Sequence, residues 1–135
     1  MKKFLAVTAI AWLSLFSFSA QAGQFGELRE KIITVRTSMI DLLMKKDARG
    51  PQQWKAADEK STAAKSALAA LKAPAGKEAQ FAELKAIVTT FLDTRDKELR
   101  EALVAGNDAE AKRLLTVVQK ERFAKITALT EALDK

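Results

Sequence analysis

Residues 25–43, FGELREKIITVRTSMIDLL, carry the pattern that decides the fold. Apolar side chains recur in this stretch at spacings of three, four, three, four and three residues, at Phe25, Leu28, Ile32, Val35, Met39 and Leu42. Such spacing places them on one face of an α-helix, whereas a half-buried strand would alternate every second residue. The face is widened by Ile33, Ile40 and Leu43 into the broad stripe of a bundle helix. The stretch therefore predicts an amphipathic helix over residues 25–46.

Three further segments show a helical period, and glycine and proline separate them. The breaks are Gly50-Pro51, Pro74-Ala75-Gly76 and Gly106-Asn107, which leave helices over residues 51–72, 77–105 and 108–134. In the third segment the apolar stripe shifts its phase after Arg95. Short connections make each helix an antiparallel neighbour of the next. We therefore expect an all-α protein, an antiparallel up-down-up-down four-helix bundle formed by residues 23–135 as one domain.

The break at Gly106 has the strongest local signal. Glycine there fits the left-handed residue that commonly ends a helix. Asn107 is a good N-cap residue, and Glu110 follows it three positions later, which is the spacing of a capping box. The third helix is therefore expected to end at this glycine and the fourth to begin directly after it.

Residues 1–22 have the three parts of a secretory signal peptide. Lys2 and Lys3 precede an apolar run over residues 4–20, which ends in the small-residue sequence Ala20-Gln21-Ala22. We expect cleavage after Ala22, export to a periplasm, and a mature chain that does not span a membrane. The alternative is a retained anchor, because the apolar run approaches the length of a membrane span.

Composition excludes several kinds of function. The chain of 135 residues has no His and no Cys, so imidazole or thiolate metal sites, Ser-His-Asp or Cys-His catalysis and disulfides are ruled out. The net charge is +6, but basic and acidic residues interleave, and nucleic-acid binding needs a one-sided basic surface. We expect no enzymatic activity, no catalytic residue, no metal or other cofactor, and no nucleic-acid partner.

Arginines at the edge or centre of the apolar stripes are the candidate binding residues. Arg95 and Arg122 each interrupt a stripe, and Arg36 borders that of the first helix beside Thr37. A guanidinium matches a carboxylate with two parallel hydrogen bonds, so such residues suit a small organic anion. The predicted ligand-binding residues are Arg36, Thr37, Arg95 and Arg122.

Internal pairing is the alternative role for the interrupting arginines. Arg95 lies close in sequence to Asp93 and Asp96, and Arg122 follows Glu121. The guanidinium groups would then form ion pairs within the bundle, or extend from the stripe edge into water.

A second interpretation comes from residues 115–119, LTVVQ, which match the L-T-x-x-Q pattern of Spy/CpxP-like periplasmic chaperones. Those proteins are typically basic and helical, as this chain is. A chaperone-like or stress-related interaction protein is therefore the alternative function.

Residues 28–43 and 91–111 resemble the first helix, and the third helix through the start of the fourth, of the periplasmic ligand-binding domain of bacterial methyl-accepting chemotaxis receptors. This resemblance implies a sensor-like four-helix bundle that binds a small anion at a dimer interface, with Arg36 as a ligand contact. Receptors continue into a second transmembrane helix, whereas this sequence ends at Leu133-Asp134-Lys135. We therefore expect a freestanding sensor-like bundle that binds a small ligand or a membrane-protein partner.

Overall fold

The computed structural model describes the backbone of residues 2–135 and the side chains of residues 23–47 and 49–135. The described backbone forms four helices and no strand, which confirms the all-α prediction. Helix α1 covers Lys2–Met44, a short 3₁₀ turn covers Lys46–Ala48, and α2 covers Pro51–Ala70. Helix α3 consists of Glu78–Thr94, Arg95–Leu99 and Arg100–Val104, and α4 of Asp108–Arg113, Leu114–Val118 and Gln119–Asp134.

The predicted signal peptide lies outside the residues whose side chains are described. Its cleavage after Ala22 and the export that it implies stay predictions. Over the part of the chain that is described, no helix is both long enough and apolar enough to cross a membrane.

The apolar interior consists of two cores, and each draws side chains from all four helices or the residue next to them. The first core contains Phe25, Leu28, Ile32, Val35, Ala64, Leu68, Leu71, Leu84, Val88, Phe91, Leu92, Ile126 and Leu133. The second core contains Met39, Leu42, Ala57, Leu99, Ala102, Leu103, Ala111, Leu114 and Leu115. All six residues of the predicted α1 stripe are buried, but Ile33 and Ile40 are 36% and 37% exposed. The expectation that these two isoleucines widen the buried face is wrong.

Buried polar side chains lie between the two cores in the order of every helix. On α1, Ser38 stands between Val35 of the first core and Met39 of the second. We call this set the polar layer; it contains Ser38, Ser61, Thr94, Arg95 and Gln119, all buried. Each helix therefore contributes to both cores and to the polar layer between them.

The middle segments of α3 and α4 are π-helical turns, Arg95–Leu99 and Leu114–Val118. A π turn accommodates one more residue than an α turn and so rotates the positions that follow it. The turn in α3 coincides with the shift in the apolar stripe after Arg95, and Leu99 and Leu103 are buried beyond it. The irregular spacing in the sequence thus has a backbone cause.

The connection between α3 and α4 forms as predicted, with one difference. Gly106 has a φ of 74°, and the amides of Gly106 and Asn107 donate to the carbonyls of Leu103 and Ala102. The Asn107 side chain accepts a hydrogen bond from the Glu110 amide at 3.3 Å. The Glu110 carboxylate pairs with Arg113 instead of the cap. The N-cap prediction is confirmed, and only half of the capping box is present.

The left-handed conformation at Gly106 gives the first testable prediction. Replacing Gly106 with Ala should lower the free energy of unfolding by about 1 kcal/mol, because a β-carbon is strained at positive φ. Gly106→Asn is the control, since asparagine tolerates this conformation better. Urea unfolding of both variants measures the difference. Equal losses for the two substitutions would contradict this account of the turn.

Candidate functional site

Arg95 is the most deeply buried charged side chain among the described residues, with 2% of its surface exposed. Its Nη1 donates to Asp58 Oδ1 on α2 and to Asp96 Oδ1 on α3, both at 2.9 Å. Asp58 Oδ1 also accepts from Arg100 Nη1 at 2.5 Å. Asp96 accepts from Ser61 Oγ at 3.0 Å and pairs with Lys65. We call these six residues, Asp58, Ser61, Lys65, Arg95, Asp96 and Arg100, the α2–α3 ion cluster.

The surroundings of the two carboxyls in this cluster favour their charged form. Burial alone would raise the pKa of Asp58 and of Asp96. Hydrogen bonds from Arg100 and Arg95 to Asp58 outweigh this effect, and hydrogen bonds from Lys65, Arg95 and Ser61 do so at Asp96. The pKa of each carboxyl is therefore held below its ordinary value of 3.8.

Arg122 joins the same polar region from α4. Its Nη1 donates to Thr94 Oγ1 at 2.6 Å and to Gln119 Oε1 at 3.1 Å. Gln119 Nε2 donates in turn to the Phe91 carbonyl at 2.8 Å, next to the π turn of α3. These bonds tie α4 to α3 through polar groups.

The internal pairing that the sequence left as an alternative is present for Arg95 and Asp96. Asp93 is exposed and is not among the described partners of Arg95. The contacts described for Arg122 are with Thr94 and Gln119, not with Glu121. Asp58 was missed, because a partner on another helix leaves no local spacing signal; its nearest clue is the buried pair Ala57 and Ser61 beside it on α2.

Arg36 lies in a different environment, a groove between α1 and α4 of about 430 Å³. Its guanidinium carbon lies 5.2 Å from the centre of the Phe123 ring, in cation–π geometry. The Nε atom of Arg36 is buried and has no hydrogen-bond partner among the described residues. We call this space the α1–α4 groove; its lining residues are Arg36, Ile40, Leu43, Met44, Lys46, Asp108, Ala109, Lys112, Leu115 and Thr116.

The α1–α4 groove combines apolar walls with an excess of positive charge. Arg36, Lys46 and Lys112 provide three cations. Asp108 is the one carboxylate among the lining residues, and Lys46 and Arg49 pair with it at 3.0 Å each. Hydrogen bonds from these two partners lower the pKa of Asp108 below its ordinary 3.8. The remaining groove surface is therefore cationic and partly apolar.

The four predicted ligand-binding residues do not form a single site. Arg95 and Arg122 belong to the polar interior, Arg36 lines the α1–α4 groove, and Thr37 is exposed and outside the groove lining. Sequence reasoning missed Lys46 and Lys112, since ordinary surface lysines carry no distinguishing pattern. Ile40 and Met44 were visible in the sequence as apolar residues one turn apart, but not as groove residues.

Comparisons with known proteins identify no relative. No protein-family model matches the chain, and neither a curated protein nor a solved structure matches it significantly. The resemblance to chemoreceptor sensor domains stays a prediction from the residues that carry it.

The contacts of Arg95 predict the outcome of replacing it with an apolar residue. Arg95→Leu should lower the free energy of unfolding by about 2 kcal/mol, because Asp58 and Asp96 lose a charged donor while both stay partly buried. Lys97→Leu, in the same π turn but exposed, is the control and should change stability by less than about 0.5 kcal/mol. Chemical unfolding measures both variants. A stabilised Arg95→Leu protein would show that the arginine is merely a poor core residue.

The lowered pKa values predict how stability depends on pH. A carboxyl with a depressed folded pKa contributes stability above its unfolded pKa, and this contribution is lost as pH falls through the folded value. Asp96→Asn should therefore lose stability at neutral pH and should lose less further stability than the wild type on acidification below about pH 4.

Unfolding curves recorded from neutral to acidic pH test this expectation. Asp93→Asn removes the same charge from an exposed position on the same helix and serves as the control. Parallel stability profiles for Asp96→Asn and the wild type would contradict the proposed role of the ion cluster.

Proposed function

We propose that this protein is an exported four-helix bundle that binds a small organic anion with an apolar body in the α1–α4 groove. The observation that carries the proposal is the buried, unpartnered Nε of Arg36 beside apolar groove walls. A buried donor without an acceptor is costly, and a bound carboxylate would supply one.

The ligand class follows from the lining of the groove. The guanidinium of Arg36 is fixed over Phe123, so little side-chain entropy would be lost when it receives a carboxylate. Lys46 and Lys112 add positive charge, and Ile40, Leu43 and Leu115 offer apolar contact to the rest of the molecule. A volume of about 430 Å³ is in the usual range of small-molecule pockets.

The bundle arrangement that we propose is up-down-up-down. Along α1 the residues of the first core precede those of the second, and along α2 the order is reversed. Helix α3 repeats the order of α1, and α4 repeats that of α2. Alternating directions explain this order with short connections. Helices α1 and α4 would then be neighbours, with the groove between them.

Export and sensing complete the proposal. The signal-peptide pattern of residues 1–22 supports a periplasmic location, and the resemblance of residues 28–43 to a chemoreceptor helix supports a sensor-like role centred on Arg36. A membrane-protein partner would read out the bound state.

The chaperone alternative has less support from its motif. Leu115 and Gln119, the two ends of the L-T-x-x-Q match, are 3% and 1% exposed, and Gln119 bonds to the Phe91 carbonyl. Their burial gives the motif a packing role. A client protein would have to contact exposed apolar residues elsewhere, such as Ile33, Ile40 and Val117.

Thermal shift and calorimetry with defined carboxylates test the proposed ligand class. Benzoate and hexanoate should stabilise the protein, by about 2.7 kcal/mol at a hundred times Kd, whereas hexanol should not. Arg36→Gln should weaken carboxylate binding about tenfold or more, since a hydrogen bond to a charged group contributes about 1.5–3 kcal/mol.

Arg113→Gln is the matched control. It removes the same charge from a side chain that is 54% exposed, pairs with Glu110 and lies outside the groove lining. Carboxylate binding should persist in this variant. Absence of binding by both carboxylates, or equal loss in the two variants, would contradict the proposed site.

A further inference from the structure

The end of α4 packs against the part of α1 that would begin the mature chain. Asp134 Oδ2 lies 3.6 Å from the position that a β-carbon on Gly26 would take, so the absence of a side chain admits the carboxylate to the α1 backbone. Two long-range hydrogen bonds hold this region together. Arg29 Nη1 donates to Thr130 Oγ1 at 3.3 Å, and Lys77 Nζ donates to the Ala132 carbonyl at 3.0 Å.

The Asp134 carboxylate is incompletely paired where it lies. Its Oδ1 is buried and has no hydrogen-bond partner among the described residues. Burial raises the pKa of Asp134 above its ordinary 3.8, although Arg29, the amides of Phe25 and Gly26, and Lys77 oppose the rise. An acceptor of negative charge is thus held beside the first turn of residues 23–26 without enough donors.

Cleavage after Ala22 would create those donors. Removal of residues 1–22 takes away the carbonyls four positions before Phe25 and Gly26, to which helical amides donate. Gly23 would become the N-cap residue and has no side chain to accept a hydrogen bond. An N-cap oxygen accepts from the amide two or three positions later, which here means Phe25 or Gly26.

We propose that the Asp134 carboxylate caps α1 of the mature chain and binds the new α-ammonium group of Gly23. Signal-peptide removal thereby completes the packing at this end of the bundle. The cap supplied in other proteins by the N-cap side chain comes here from α4. This inference rests on the cleavage site within the proposed function and is independent of the α1–α4 groove.

The charge balance around Asp134 is compatible with a further cation. Arg29 from α1 and Lys77 before α3 face the carboxylate, and Glu131 and Lys135 are charged neighbours on its own chain segment. Arg29 and Lys77 already donate to Thr130 and Ala132. The α-ammonium of Gly23 would be the added donor for Asp134 in the mature chain.

The test uses protein purified after export, with its N-terminal residue determined by sequencing. The pKa of the α-amine is then measured by NMR after ¹³C reductive methylation. It should lie above the ordinary range of about 7.7–8.0 in the wild type and return to that range in Asp134→Asn. Asp134→Asn should also lower the folding equilibrium constant about tenfold, whereas Glu131→Gln, exposed on the same helix, should leave both quantities unchanged.

The outcomes separate the inference from its premise. An exported chain that starts at a residue other than Gly23 overturns the inference by removing the cleavage site on which it rests. A chain that starts at Gly23, with an ordinary α-amine pKa that Asp134→Asn does not alter, overturns the inference and leaves export intact. Carboxylate binding in the groove is unaffected in either case.

Discussion

The structure depends on how the charge of Arg95 is accommodated in the interior. A guanidinium that is 2% exposed would be prohibitively costly without anionic partners, and Asp58 and Asp96 supply them from two helices. Both carboxylates keep contact with water and with further cations, so the cluster does not isolate any charge completely. Helices α2 and α3 are therefore joined by directed polar contacts, in addition to the apolar packing of the two cores.

Two arginines on apolar stripes serve different ends because their partners differ. The Nη1 of Arg95 has two carboxylate partners within the fold, and this fixes the residue as a structural cation. Arg36 has an aromatic ring beneath it and no carboxylate among its described contacts, so its positive charge remains directed at the α1–α4 groove. Burial alone does not distinguish a structural arginine from a binding one; the identity of the acceptors does.

The sequence was sufficient for the helices and insufficient for the site. The spacing from Phe25 to Leu42 and the Gly106-Asn107 break depend on neighbours along the chain, and both predictions are confirmed. The partnership of Arg95 with Asp58 and the position of Arg36 over Phe123 depend on which helices pack together, information that no local pattern contains. Ile33 and Ile40 failed for a related reason, since apolar character at the edge of a stripe does not reveal whether a neighbouring helix covers it.

The π turn of α3 also has a consequence for changes in chain length. One extra residue is stored within Arg95–Leu99, so a deletion there would convert the turn to regular α-helix without breaking the helix. Every later position of α3 would then rotate by about 100° about the helix axis. Leu99 and Leu103 would leave the second core, and the Gly106 connection would face a different direction. Single-residue deletions in this segment should therefore be more disruptive than deletions in the exposed connection between Ala70 and Glu78.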